Sequence, residues 1–462
     1  PMDIYGDESG NDNRFDDMSS YMEGKVMSRE NFATSMPATP TDDEREIASD
    51  IYNALTFKYD DENGDYAEYF KALAQEFEEA GADEELMLYD LIGADYDDER
   101  WMQIVNTLSI QTICDLIGQG NFHTNSILEI DKPRTIDPDG PAGYTNFMGD
   151  PSVHDTCFYC SECVIGATWN TDLANDMGVM TGLESIVGYT NKDSTPYSGW
   201  YAPAVNIHRS PFSGRNWEYY SEDPYLSGNM GAHVVAGAKT KGVYTYVKHF
   251  ALNDQETNRD ANGLVTWADE QTFREIYLKP FQMTVEEGGT SGMMSSFNRI
   301  GTTWAGGSFA LITEVLRMEW GFKGMVITDY NLSIAYMHPD QMLRAGGDLN
   351  LSQSYNPNSS VEGQEGKSQE LHEAALKQAA KNILYTVAQS NAMNGHGEGV
   401  VWGTTMAMWR VLLIVANCVL VVLAAVWGFF DIRKKLKRAK AEELGGGNVK
   451  VISEDAPSEP RQ

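Results

Sequence analysis

Three short apolar runs in this sequence end on side chains that could do chemistry. GFKGMVITDYN (321–331) ends the run Met325-Val326-Ile327 on Asp329, GVYTYVKHF (242–250) delivers Lys248 and His249, and YAPAVNI (201–207) leads into His208 and Arg209. Met325-Val326-Ile327 is short, partly β-branched and flanked by glycine, which predicts a buried strand of a parallel sheet. Asp329 then lies where that strand emerges, which makes it a candidate nucleophile. A helix cap or a solvated turn is the other reading of a lone aspartate in that position.

The elements that must position these groups follow from the pattern around them. Beyond Trp101 short apolar runs, with SGMMSSFN (291–298) as a further example, alternate with helical stretches. That alternation means a parallel sheet, open or closed. Because several different runs end on useful side chains, a TIM-type (β/α)8 barrel, distorted in places, is favoured over an open sheet, which gathers its ligand at a single switch point. No GxGxxG or phosphate loop follows any of these runs, which argues against a nucleotide enzyme, and no cofactor is expected. Residues Gln369 to Gln389 form a closing helix, whose alanines, Leu371, Leu376, Ile383 and Leu384 give an apolar stripe for the barrel exterior.

Charge is unevenly spread over the 462 residues: of a formal net charge of -34, residues 1–100 hold 29 Asp and Glu against 7 Lys and Arg, a net of -22. Such a surface repels nucleic acid, which is excluded as a partner, and suits a neutral substrate or simply keeps the chain soluble. The first hundred residues therefore read as an acidic linker and helical extension, with Ile47, Ile51 and Leu55, and then Tyr69, Leu73 and Phe77, four apart. DDENG (60–64) fails as a calcium loop, because Tyr59 and Phe70 would stand where carboxylates are required. Cys157, Cys160 and Cys163 form a CxxCxxC run without a fourth thiolate nearby, so packed or surface thiols are expected and no metal.

Val411 to Phe430 is a run of 20 uncharged residues, the length that a helix needs to cross a bilayer. Its thirteen Val, Leu, Ile and Phe residues contribute roughly -4 to -8 kcal/mol towards insertion. Arg433, Lys434, Lys435, Lys437, Arg438 and Lys440 follow the run, against Arg410 alone just before it. The lipid bilayer is thus an expected partner, with a single pass, residues 431–462 cytoplasmic and everything before Arg410 outside the cell membrane. Residues 396–410 read as a juxtamembrane link, and the glycine-rich end of the tail as disordered.

Taken together, DGPAG (139–143), TWN (168–170), APAVNIHRSPFSGRNWEYYSEDPYLSG (202–228), KHFALNDQETNR (248–259) and GFKGMVITDYN resemble glycoside hydrolase family 3, the β-glucosidase and β-xylosidase family, in order and over about Trp101 to Gly395. The resemblance implies that Asp329 is the nucleophile of a retaining β-glycosidase. It also implies that Asp139, Arg215, Lys248 and His249 hold the hydroxyls of a terminal sugar, with the cations lowering the pKa of Asp329. Asn206, His208, Glu218, Glu222 and Asp223 are expected to fix the loops around the pocket, while Trp200 and Trp304 could stack on a sugar or pack in the core. Phe297 stands where many relatives have a tyrosine near the nucleophile. KHFALNDQ lacks the His and Asp of the N-acetylhexosaminidase branch.

A retaining enzyme needs a second carboxyl as acid/base, about 5 to 5.5 Å from the nucleophile. The resemblance assigns it to an α/β sandwich domain. With the closing helix running through NAMNG towards the apolar run, the expectation is the reversed-order subgroup, with the sandwich upstream and MSRENFATSMP (27–37) as linker. The competing expectation is a membrane-anchored carbohydrate-binding protein that has lost its chemistry.

Overall fold

Four parallel strands carry the sheet. In sheet order they are β1 (Gly199–Trp200), β2 (Tyr244–Phe250), β3 (Gly292–Ser295) and, after the hairpin of β4 (Arg299–Ile300) and β5 (Thr303–Trp304), β6 (Met325–Ile327). The register pairs Trp200 with Thr245, Val247 with Met293 and Met293 with Val326. This computed structural model describes residues 49–145, 156–187, 197–259, 264–266, 268–331, 336–352, 365–400, 406 and 408–444, so MSRENFATSMP and the chain beyond 444 lie outside the described residues. Every residue of β2 and β6 is buried, as expected of parallel strands covered on both faces by helices.

The sheet continues at both edges, but only through single contacts. Asp139 bridges Tyr201, Ala204 bridges Lys248 and Leu349 bridges Ile327, all in parallel. The 117–124 segment meets one edge through the Gly120 amide on the Asn350 carbonyl and the other through the Asp137 amide on the Phe122 carbonyl. The fold is therefore TIM-barrel-like and distorted, but the (β/α)8 barrel expected from the sequence is not closed: one four-stranded sheet forms and no continuous ladder closes among the described residues. YAPAVNI shows the physical reason. Pro203 has no N–H to give, so pairing runs around it, with the Lys248 amide on the Pro203 carbonyl and the Val205 amide on the Lys248 carbonyl.

Helices close the outside. Those used below are α1 (Ala67–Ala80), α2 (Arg100–Asn106), α3 (Ile110–Gly118), α4 (Thr171–Val187), α5 (Pro224–Lys239), α6 (Lys279–Glu286), α7 (Pro339–Ala345), α8 (Gln369–Ala388) and α9 (Met408–Leu444). Asp223 caps α5 by accepting the Leu226 amide, and Pro224 follows at the first helical turn. A Cβ on Gly178 would lie 2.1 Å from the Val234 carbonyl, and one on Gly237 would lie 2.3 Å from that of Asn175. Glycine alone lets α4 and α5 approach that closely.

Helix α8 has more than the single apolar stripe read from its sequence. His372, Gln378, Lys381 and Asn382 are buried along with its leucines and alanines, because α1, α2 and α3 pack against it as well as the sheet. Phe70, Leu73 and Phe77 of α1 belong to the same apolar cluster as Leu376, Ile383 and Leu384. Trp200 and Trp304 are 0% and 2% exposed, which settles both as core residues.

Residues 1–398 and 399–462 form separate units. The second contains α9, one continuous helix of 37 residues, long and apolar enough to cross a membrane.

Candidate active site

The DGPAG turn sets the first wall of the site. Gly140 has φ +116°, and a Cβ there would lie 2.0 Å from the Gly143 carbonyl, so only glycine allows the turn. The turn presents Asp139, whose Oδ1 accepts the Gly140 amide at 2.7 Å and the Lys248 ammonium at 2.8 Å. Lys248 is buried. Burial works against its charge, but Asp139 and then Glu218 more than offset it, so the ammonium titrates above an ordinary lysine.

Strand β2 brings His249 in next. Asn206 clamps its backbone, accepting the His249 amide at 2.7 Å and donating to the His249 carbonyl at 3.1 Å. Burial, followed by Arg215, Lys248 and Arg259, pushes the imidazole far below the usual histidine range. His249 is thus a neutral ring with one donor and one acceptor nitrogen rather than the cation expected from the sequence. Its Nε2 lies 3.7 Å from Asp329 Oδ2, and its Nδ1 has no hydrogen-bond partner.

Asp329 emerges from β6 with its amide on the Ser295 carbonyl of β3, 3.0 Å away. Its Oδ1 accepts the Tyr330 amide at 2.7 Å, while Oδ2 is buried with no hydrogen-bond partner. Burial raises its pKa, and Arg215, Arg259 and Lys248 only partly counter the effect. The sequence expectation was a net lowering by these cations. Desolvation of a carboxylate this deep outweighs them.

Arg215 is tied to Glu218, which is buried behind it. The loop that carries Arg215 is fixed by His208 Nε2 against the Tyr219 carbonyl (2.8 Å) and by Asn216 donating to the Ser210 carbonyl (2.7 Å). Phe297 has a role its type alone did not indicate: the Arg259 guanidinium sits over its ring, 4.4 Å from the centroid. Arg259 also pairs with Glu256 at 3.0 Å and donates to Asn253 at 2.6 Å. The structure thus gathers Asp139, Lys248, His249 and Arg215 around Asp329, with Phe297 reaching the group through Arg259.

Arg259 and Glu162 escaped the sequence reading. Arg259 closes the block KHFALNDQETNR, and its distance from Lys248 along the chain hid their shared surroundings. Glu162 lies in the short helix Glu162–Ala167, is wholly buried, and accepts the Ala204 amide at 2.8 Å while its Oε2 has no partner. Burial, then Glu218, pushes its carboxyl well above the usual range. A lone glutamate in the otherwise apolar ECVIGA was the available signal. Cys157 and Cys160 are exposed and Cys163 is half-buried. No group of three or more His, Cys, Asp or Glu that could hold a metal occurs among the described residues.

Chemically, the cluster offers one buried carboxylate oxygen free to react, a neutral imidazole beside it, and paired charges able to bond vicinal hydroxyls. The sequence profile of the glycosyl hydrolase family 3 N-terminal domain matches residues 142–386. Beta-glucosidase A of Butyrivibrio fibrisolvens is 38% identical over 215 residues, covering 46% of this chain and 25% of the relative. A beta-glucosidase of Ruminococcus albus is 34% identical over 276 residues, covering 57% of this chain and 28% of the relative. Among solved structures, beta-glucosidase 3B from Thermotoga neapolitana in complex with glucose superposes with a TM-score of 0.54 at 28% identity, covering 64% of this chain and 43% of that one. The chain spans only 25% and 28% of the length of those two curated relatives.

Proposed function

Because this chain belongs to glycosyl hydrolase family 3, matched through that family's N-terminal domain, we propose that it carries the nucleophile half of a retaining, exo-acting β-glycosidase of β-glucosidase type. Asp329 attacks the anomeric carbon and forms a glycosyl-enzyme. Asp139, Lys248, Arg215 and Arg259 hold the sugar hydroxyls, and contacts that tighten in the oxocarbenium-like transition state add to rate. The observation that carries this reading is the Asp329 oxygen, buried among three cations with no hydrogen-bond partner.

The acid/base comes, in this reading, from a further domain of sandwich type. What supports it is that Asp139, Glu218 and Glu256 are committed to Lys248, Arg215 and Arg259, and that Glu162, whose Oε2 has no partner, is wholly buried and held by the Ala204 amide. An activated 2-fluoro glycoside, whose leaving group needs no protonation, is expected to label this chain at Asp329 and nowhere else. A label on another residue overturns the assignment of the nucleophile. Tight sugar binding without any label supports instead a carbohydrate-binding protein.

Helix α9 is read as a single membrane span through residues 411–430, with its basic end cytoplasmic. Its length and composition support this, as does the excess of Lys and Arg on one side. Resistance to alkaline carbonate extraction, with the C-terminus protected from external protease, is the expected behaviour in intact cells.

A further inference from the structure

Helix α9 does not stop at the end of its apolar run. It continues without a break to Leu444, and that continuation sorts its charges by distance from the apolar boundary. Asp431, at the boundary, is paired with Lys435 at 2.8 Å. Arg433, Lys434, Lys437, Arg438 and Lys440 are exposed and have no carboxylate within salt-bridge reach among the described residues. Glu442 and Glu443 come last.

At about 1.5 Å per residue, the basic groups begin about 4.5 Å beyond Phe430 and end about 15 Å beyond it. Most therefore lie within about one Debye length, roughly 8 Å, of where headgroups would be, once the reach of a lysine or arginine side chain is included. Side chains on a helix tilt towards its N-terminus. Here that direction points back to the apolar boundary, so these cations lean towards headgroups. At about 100° per residue they span an arc of about 160°, with Ile432, Leu436 and Ala439 as a narrow stripe on the opposite side.

We propose that residues 433–440 form a binding surface for the anionic phospholipid headgroups of the leaflet from which the helix emerges. This rests on reading α9 as a membrane span and goes beyond it: orienting a span needs an excess of positive charge, whereas a rigid helix that sets unpaired cations at headgroup depth also selects its lipids.

Trp427, three residues before the boundary residue Phe430, is the reporter. The purified full chain is reconstituted into phosphatidylcholine vesicles containing brominated phosphatidylserine or, at the same fraction, brominated phosphatidylcholine. Trp427 quenching is the difference from Trp427→Phe. Roughly five-fold less brominated phosphatidylserine than brominated phosphatidylcholine is expected to give equal quenching. The preference is expected to vanish at high salt and when Arg433, Lys434, Lys437, Arg438 and Lys440 are all replaced by Gln. Equal quenching by the two lipids overturns the proposal while leaving the span intact, and so does a preference that survives the five replacements. Quenching by neither lipid, with release by alkaline carbonate, overturns the span and the proposal together.

Discussion

Two buried clusters of charge, built from the same residue types, behave in opposite ways. Around Asp61, Arg344 donates two bonds of 2.6 Å to the carboxylate and the Ser368 amide adds a third of 2.6 Å. Asp340 beside it accepts from Lys367 at 2.8 Å and from the Tyr59 hydroxyl at 2.7 Å. Burial alone would raise both carboxyls, but these partners pull Asp61 and Asp340 below the usual carboxylate range. Around Asp329 the cations are as numerous, yet they bond Glu218, Asp139 and Glu256 instead, and the carboxyl rises. The first cluster spends its hydrogen bonds on itself and ties residues 59–66 to α7. The second leaves one carboxylate oxygen available, as a reactive group must be.

The sharpest way to break this contrast is Asp329→Asn. Labelling and turnover of activated glycosides should fall roughly 10⁴-fold or more, while thermal stability should hold or rise, since a buried, poorly bonded carboxyl group has been removed. A matching fall in melting temperature would mean that Asp329 is structural. Arg344→Met inverts the pattern: leaving Asp61 buried and unpaired should cost about 3–5 kcal/mol of unfolding free energy, seen in denaturant titrations. The double change with Asp61→Asn should recover part of that loss.

A weaker effect separates the clusters by pH. Asp61 and Asp340, lowered in the fold from a value of 3.8, add stability above about pH 4 that disappears as the pH falls through their folded values. Asp254, buried in the loop beyond His249, is raised by burial from 3.8 to about 7, so it costs stability as the pH rises from about 4 to 7. Asp254→Asn is therefore expected to raise the melting temperature at pH 8 more than at pH 5. A gain that does not change with pH would show that the Asp254 carboxyl ionises in the fold near its ordinary value. The smallest effect belongs to the exposed Lys323–Asp97 pair, 2.9 Å apart. Lys323→Ala should change stability by about 0–1 kcal/mol, and a larger loss would undo the distinction between buried and surface pairs drawn here.

Much of the candidate site was legible in the sequence because its groups stand at the ends of local patterns. Asp329, Lys248 and His249 each terminate an apolar run, and Asp139 sits in a turn that only glycine permits. Asp61 was not legible. Within DDENG it looks like one acidic surface residue among several, and its partner Arg344 lies 283 positions away. The buried surface of α8 was hidden for a similar reason: which of its faces are covered depends on α1, α2 and α3, not on its own spacing.

By itself, then, the sequence determined the alternation of strands and helices, the 20-residue apolar run and which side chains are candidates for chemistry, since periodicity and residue chemistry are local properties. Only the tertiary structure decided the ionisation of those side chains. Whether Asp329 is raised while Asp61 is lowered, and whether His249 is charged or neutral, depends on burial and on partners brought from distant segments. Desolvation and Coulomb interaction act through space rather than along the chain.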